Sequence, residues 1–484
     1  MLNQTGIKTT INLVIVQMKK SILISALAVV VLLGGCSASP EKKEIVIDET
    51  IHAEVVEDSI SIDNVWSGHP VGFCLLSHGN RQYIAYYNAT RNMVVGQRNM
   101  DEQEFRLHIM PATYRETHNG TSTVLNWDSH NSVTMAVDSE GYIHLSGNMH
   151  VHPLTYFRST IPDDISTLVQ VMNMTGTEED RVTYPNFMTD REGRLIFHYR
   201  DGVSGQGNEI YNIYSTENKT WKRLLDVPLT DGQGQMNAYQ SQPVLMKDNW
   251  YHVYWVWRDT PDCETNHDLS YMKSPDLVNW YNAFGEQVRL PATIDNKSLI
   301  VDPVPPGGGI INLAARLCLD ENNSPVFIYH KYGTDGNLQL FAARIEEKRW
   351  VSKQITDWDY RWEFSGRGSI KFEVSLKDFK SRIDGFYEFS YWHVKYGNGT
   401  LLLDKNFNVT GRVLKPEPFG EQLKPEGTFP GLEIRTTGDK GITGVDGTRY
   451  LLKWETLPQN RDQARPEPWP APSTLRLYKL KRPV

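Results

Sequence analysis

Cysteine is scarce in this chain of 484 residues: four are present, Cys36, Cys74, Cys263 and Cys318. Cys36 stands in an N-terminal segment of its own. The other three are an odd number, which excludes a full disulfide framework and leaves at least one thiol free, buried or metal-bound. Long stretches of helical periodicity are also missing. Against that absence stand 13 Trp, 23 Tyr, 36 Gly and 25 Pro, the composition of strands and tight turns, so an all-β protein is expected. Excess positive charge is lacking too. A formal net charge of −8 gives no basic footprint for nucleic acid, and an acidic ligand would need a local cluster of Arg, Lys or His.

At the amino end, Met18, Lys19 and Lys20 open a charged segment, Ser21 to Leu33 is an apolar run too short to span a bilayer comfortably, and Leu33, Gly34, Gly35, Cys36 closes it. This resembles a bacterial lipoprotein signal. The resemblance implies that Cys36 becomes the lipidated first residue and that the protein is exported and anchored at the outer membrane or cell surface. Residues 1–17 read as an upstream extension with Met18 as the true start. The polar, acidic stretch 37–60 reads as a tether, and 61–484 as the folded domain.

Seven turn signals, each followed by an aromatic or apolar strand, recur at Gly79, Gly141, Gly193, Asn249, Asn323, Gly385 and Gly447. Their spacing suits one four-stranded sheet per repeat, and seven such sheets arranged radially predict a seven-bladed β-propeller. Ser274 to Trp280 (SPDLVNW) resembles the Asp-box of neuraminidase repeats, a turn in which the Asp accepts local backbone hydrogen bonds and the Trp packs between strands. That motif supports the propeller and says little about the reaction.

The hairpin around Gly141, with Val133, Met135 and Val137 before the turn and Ile143 and Leu145 after it, brings its open ends together. His130 and His150 stand at those ends. At the corresponding ends around Gly193 are Tyr184 and Arg200, and around Asn249 are Tyr239 and Arg258. His and Tyr can exchange protons with a carbon acid and a leaving oxygen, and Arg can pair with a carboxylate. Those are the functions β-elimination at a uronate requires, since neutralising the carboxylate stabilises the enolate-like charge of the transition state. A glycosidase needs two opposed carboxylic acids, or a Tyr nucleophile with a Glu and an arginine cluster for sialic acid, and these hairpin ends carry no such acidic pair. His144 and His198, both mid-strand, read as core residues.

The stretches Trp127 to Asn131, Asn148 to Arg158, Tyr184 with Pro185 and Phe187, Tyr199 to Gly207 (YRDGVSGQG) and Trp255 to Tyr271 resemble the propeller ulvan lyases, polysaccharide lyase families 24 and 25, most of all family 25. The resemblance implies that His130 and Tyr184 transfer protons, that Arg200 neutralises the uronate with help from His150, and that Tyr239 lines the same subsite; Arg258 and Asn131 are further candidate substrate contacts. The Gly-rich run Gly202 to Gly207 suits close ligand approach, and Arg361 and Arg367 are candidate sulfate contacts. Cys263 and His267, with His252 before them and His330 in the next repeat, make a tetrahedral donor set for zinc, and the resemblance implies a closed, structural site there. The function expected is cleavage of ulvan by β-elimination, leaving a 4,5-unsaturated uronate. The rivals are a sialidase-like hydrolase and a glycan-binding propeller without catalysis.

Overall fold

The computed structural model describes residues 44–50, 53–111, 114–115, 120–416, 424–441 and 447–481. The signal segment with Cys36 lies outside the described residues. No described helix is long and apolar enough to cross a membrane.

Among the described residues, seven sheets of four or five strands follow one another along the chain, with one further two-stranded ladder. Sheet 1 covers 74–109, sheet 2 133–170, sheet 3 150–223, sheet 4 237–302, sheet 5 315–354, sheet 6 374–414 and sheet 7 433–481. All seven expected turns join strands of one sheet, each in a different sheet. The turn residues Gly79, Gly141, Gly193, Asn249, Asn323, Gly385 and Gly447 all have positive φ, between 59 and 87°. Glycine reaches that region without strain and asparagine more readily than other side chains, which is why these residues punctuate the sequence.

The strand before one expected turn touches the strand before the next: Cys74–His78 contacts Val133–Val137, which contacts Val182–Thr189; Ala315–Leu319 contacts Val374–Ser381; and Glu433–Gly438 returns to Cys74–His78. The apolar core lies between sheets rather than at one centre. One cluster joins Trp454 and Leu477 of sheet 7 to Leu75 and Ile84 of sheet 1 and Val133 and Leu145 of sheet 2. Others join sheet 2 to sheet 3, sheet 3 to sheet 4, and sheets 4, 5 and 6. The Asp-box behaves as its chemistry requires: Asp276 accepts from the backbone N–H of Val278 and Asn279 at 2.9 and 2.7 Å, and the Trp280 ring is buried.

Part of the expected tether belongs to the fold. Ile45–Asp48 pairs in parallel with Val409–Leu414 at the edge of sheet 6, and Val55–Val65 pairs with Ser473–Lys481 in sheet 7. Alternating apolar residues such as Val56, Ile60 and Ile62 make this second strand, and the acidic residues between them obscure its period. The three described cysteines are free and buried.

Candidate active site

A cleft of about 550 Å³ opens where loops of several sheets meet, lined among others by Ser129, His130, His150, Tyr184, Ser204, Tyr239, Arg258, Arg367, Ser369 and Arg435. His130 and His150 face each other with ring centroids 4.1 Å apart, as the hairpin around Gly141 leads one to expect. Their supports differ from a simple hairpin end. His130 stands in the loop before sheet 2, whereas the chain crosses over after Gly147 and places His150 on the edge strand His150–His152 of sheet 3.

Asp128 links the two rings, its Oδ1 2.7 Å from His130 Nδ1 and its Oδ2 2.5 Å from His150 Nδ1. Asp462, from the loop before the last strand, adds a second carboxylate 3.3 Å from His130 Nδ1. Both carboxyls are penalised by burial, but hydrogen bonds from the imidazoles hold them far below the ordinary carboxylate range. Burial works against the charged form of both histidines. For His130 the Tyr184 oxygen and the two carboxylates outweigh it and raise the pKa well above the usual imidazole value. For His150 burial prevails, aided by the charges on His130 and Arg200, and the pKa falls. Sequence reasoning misses both carboxylates. Asp128 lies inside the Trp127 to Asn131 motif with nothing to single it out, and no local signal marks Asp462.

Tyr184 sits at a bulge, where the pairing of Val182–Thr189 with Leu195–Val203 slips between Thr183 and Asn186, and its φ is +56°. Such a backbone is costly for an aromatic residue, and a bulge re-aims the side chain it carries. Here the ring turns toward His130, centroids 5.7 Å apart, and toward Tyr239 at 6.3 Å. Burial raises the Tyr184 pKa. Burial also opposes ionisation of Tyr239, but Arg200 and Arg258, with the Ser204 hydroxyl 2.7 Å away, more than offset it and lower the pKa. Arg258 donates to Tyr239 Oη at 3.2 Å and otherwise to the carbonyls of Thr260, Pro261 and Asp262, with no carboxylate partner among the described residues.

Arg200 does not reach the cleft wall. It is 1% exposed, with Cζ 5.2 Å from the Tyr184 ring centroid and 5.9 Å from that of Tyr239, and among the described residues none of its nitrogens has a hydrogen-bond partner. It adjoins the site through the rings of these two phenols. Asn131 also turns away: it is buried, donates to Asn126 and accepts from the Tyr87 hydroxyl at its carbonyl. Arg367 lines the cleft, whereas Arg361 pairs with Glu363 and lies over the Tyr332 ring. The glycines of the Gly202 to Gly207 run serve the chain itself. A Cβ on Gly205 would meet the backbone of Thr260 at 2.7 Å, and one on Gly207 the carbonyl of Asp201 at 2.8 Å. His144, bonded to Tyr156 and Asp138, and His198, stacked on Tyr211, are core residues as expected.

The expected zinc donors do not converge. His252 lies between Tyr271 and Asp248, His267 between Asp259 and Asp268, and His330 bonds the Gly309 carbonyl, while Cys263 lines the cleft. Among the described residues no three of these four have donor atoms within 4.8 Å of one another. Imidazoles already engaged by hydroxyl, carboxylate and carbonyl groups do not fit a closed four-ligand site.

An all-β repeat protein whose site is assembled on inter-strand loops is thus in view, and the comparisons make it specific. The chain belongs to the BNR repeat-containing family, whose model matches residues 81–358. It is 24% identical over 314 residues to the short isoform of an ulvan lyase from Alteromonas sp. (strain LOR), a match covering 50% of this chain and 57% of that protein. It is 26% identical over 136 residues to the long isoform of an ulvan lyase from Glaciecola sp. (strain KUL10), covering 20% of this chain and 14% of that one. The chain thus spans little more than half the length of the first of these relatives and a small part of the second. Among solved structures, the polysaccharide lyase Uly1 aligns with TM-score 0.59 at 14% identity over 88% of this chain and 99% of that one. A PL25 ulvan lyase bound to -[GlcA(1-4)Rha3S]- aligns with TM-score 0.53 at 13% identity over 86% and 95%. These structural likenesses establish the fold.

Proposed function

We propose that this protein is a polysaccharide lyase that cleaves ulvan by β-elimination, and that its seven sheets form the blades of a β-propeller. The observation that carries the reading is the composition of the cleft: His130, His150, Tyr184, Tyr239, Arg258, Arg367 and Arg435 line it, and no described Asp or Glu does. A wall rich in cations suits an anionic sugar chain, and a hydrolase acting through two carboxylic acids has none to use. Elimination needs only groups that are present. Tyr184, whose phenolate is favoured by His130, Arg200 and Arg258 against the cost of burial, accepts the proton on C5 of the uronate, the electron pair forms the C4–C5 double bond, the C4–O4 bond breaks, and the imidazolium of His130 protonates O4. Arg258 and the buried charge of Arg200 favour the enolate-like transition state and the phenolate alike. The relatives' names, which are those of ulvan lyases, support the substrate class.

Mixing the protein with ulvan is expected to raise the ultraviolet absorbance of a conjugated uronate. Shortening of ulvan without that rise would mean a hydrolase, and binding without shortening a glycan-binding module. His130→Ala and Tyr184→Phe are each expected to lower the initial rate about 10²–10⁴-fold, the usual worth of a positioned acid or base, with the melting temperature retained. The lipoprotein reading is part of the same proposal: Cys36→Ser is expected to move the protein from the membrane to the soluble fraction.

A further inference from the structure

Two imidazoles 4.1 Å apart share one carboxylate, Asp128, which offers one oxygen to each Nδ1. Both rings cannot readily be charged at that distance, because like charges in a partly buried site repel strongly. Asp128 alone does not decide which ring keeps the proton, since its two hydrogen bonds are near-equivalent. The asymmetry comes from elsewhere. Asp462 Oδ2 lies 3.3 Å from His130 Nδ1 and makes no such pair with His150. On the other side, the Arg200 guanidinium disfavours charge on His150.

Asp462 is firmly held. Its Oδ1 accepts from the Ser129 N–H at 3.1 Å, the Ser129 hydroxyl at 2.7 Å and the Ser369 hydroxyl at 2.8 Å, and its Oδ2 accepts from the Ser369 N–H at 2.8 Å. Arg461 beside it bonds the carbonyls of Ser365 and Arg367, and both residues sit at φ near +60°. Two consecutive side-chain-bearing residues in that region cost free energy that the surroundings must supply. The loop of sheet 7 thereby clasps the loop before sheet 6 and the loop before sheet 2, and delivers its carboxylate to one histidine of the pair.

We propose that Asp462 is a positioning residue that polarises the histidine pair, keeping the positive charge on His130 and leaving His150 neutral. The groups facing His130 are Asp128 on its own loop, Asp462, His150, Tyr184 and Tyr239, with His69, Arg200 and Arg258 behind them. Of the negative groups, Asp128 serves both rings and the Tyr184 oxygen carries charge only when that buried phenol ionises, so Asp462 is the standing negative charge that distinguishes the two rings. Its catalytic consequence, that His130 is the acid for O4, rests on the lyase reading; the charge distribution does not.

The test is a titration of the full chain carrying 13Cε1-labelled histidine, with the two signals assigned by their loss in His130→Gln and His150→Gln. In the unmodified protein His130 is expected to titrate above the ordinary imidazole value and His150 below it; the reverse order overturns the proposal, whether or not Asp462→Asn folds. Asp462→Asn keeps an acceptor for the serines but removes the charge. It is expected to weaken His130 proton binding about tenfold or more, one pKa unit, and to raise the His150 value. The alkaline limb of the lyase pH profile should move down by the same interval, with kcat retained on its low-pH side. Ser369→Ala loosens the loop while keeping the charge and is expected to leave the His130 titration in place. An unmoved His130 in Asp462→Asn, or an equal movement in Ser369→Ala, overturns the proposal. If ulvan gives no absorbance rise with the unmodified protein, the lyase reading falls while the imidazole titration still decides this one.

Discussion

The Arg200 guanidinium is buried at 1% exposure with three nitrogens unbonded among the described residues, and its cross-strand neighbour Glu209 is a poor counter-ion at neutral pH. Burial pushes the Glu209 carboxyl up to about 7, even with Arg200 nearby pulling it down. An unpaired buried charge destabilises a fold, and an apolar replacement of similar volume is often stabilising. Arg200→Met is therefore expected to raise stability by about 1–4 kcal/mol at pH 6 while lowering the proposed lyase activity. The pH dependence has a definite sign. A carboxyl whose folded pKa is raised binds more protons in the folded state, so stability falls as pH rises from the unfolded value of 4.5 through about 7. Without Arg200 the Glu209 carboxyl is raised further and that fall continues to higher pH, so the gain from Arg200→Met should shrink in thermal melts above pH 7. A variant less stable than the parent at pH 6 would mean that the guanidinium is compensated inside the fold. Residues of this kind also mark what a sequence discloses. His130, His150, Tyr184, Tyr239 and Arg258 stand at similar distances on either side of turns, so their convergence is legible. Asp462 is not, because Ser129 and Asp462 are 333 positions apart and only the return of sheet 7 to sheet 1 brings them together.

At the level of elements, the turns are readable because a positive φ restricts residue choice, and the sheets follow from the turns. Two features are not. The crossover that carries His150 into sheet 3 leaves no mark in the alternation of apolar residues. The glycines of the YRDGVSGQG run announce close approach without saying of what. The answer is the neighbouring sheet: Gly205, at φ +80°, packs on the Thr260 backbone, and its N–H donates to the Asn237 side chain. Gly193, at φ +77°, has open space where a Cβ would stand, with nothing within 4 Å. Alanine at either position bears the same backbone strain, on the order of 1 kcal/mol or more, and only Gly205→Ala adds a clash with main chain, which cannot swing aside. Gly205→Ala is expected to melt several degrees below Gly193→Ala and to lose activity as well, because the displaced loop carries Ser204 away from Tyr239. Equal melting temperatures would show that the loops of sheets 3 and 4 adapt to each other.

For the whole molecule, the question is what joins the end of the chain to its beginning. Ser473–Lys481 is hydrogen-bonded on one side to Thr448–Thr456 and on the other to Val55–Val65. It buries Leu475, Leu477 and Leu480 at 1% exposure or less, and each such side chain contributes about 1.5–3 kcal/mol. Their sum is comparable to the roughly 5–15 kcal/mol by which domains of ordinary size are stable. Removing 473–484 also leaves two strands with open edges, a template for aggregation, and frees one end of the loop that carries Asp462. The chain ending at Pro472 is expected to lose its cooperative thermal transition and its activity together. Removing 1–53 takes away, among the described residues, the edge strand Ile45–Asp48 with its single ladder on the outer strand of sheet 6 and the Glu49 ion pairs to Arg382 and Lys415. None of those residues lines the cleft, and Glu54 stays, with its ion pair to Arg449. That shortened protein is expected to melt cooperatively a few degrees lower and to retain full activity. Cooperative melting of the chain ending at Pro472 would mean that the sheets are held by their neighbours alone and that the joining of the two ends of the chain in sheet 7 is dispensable.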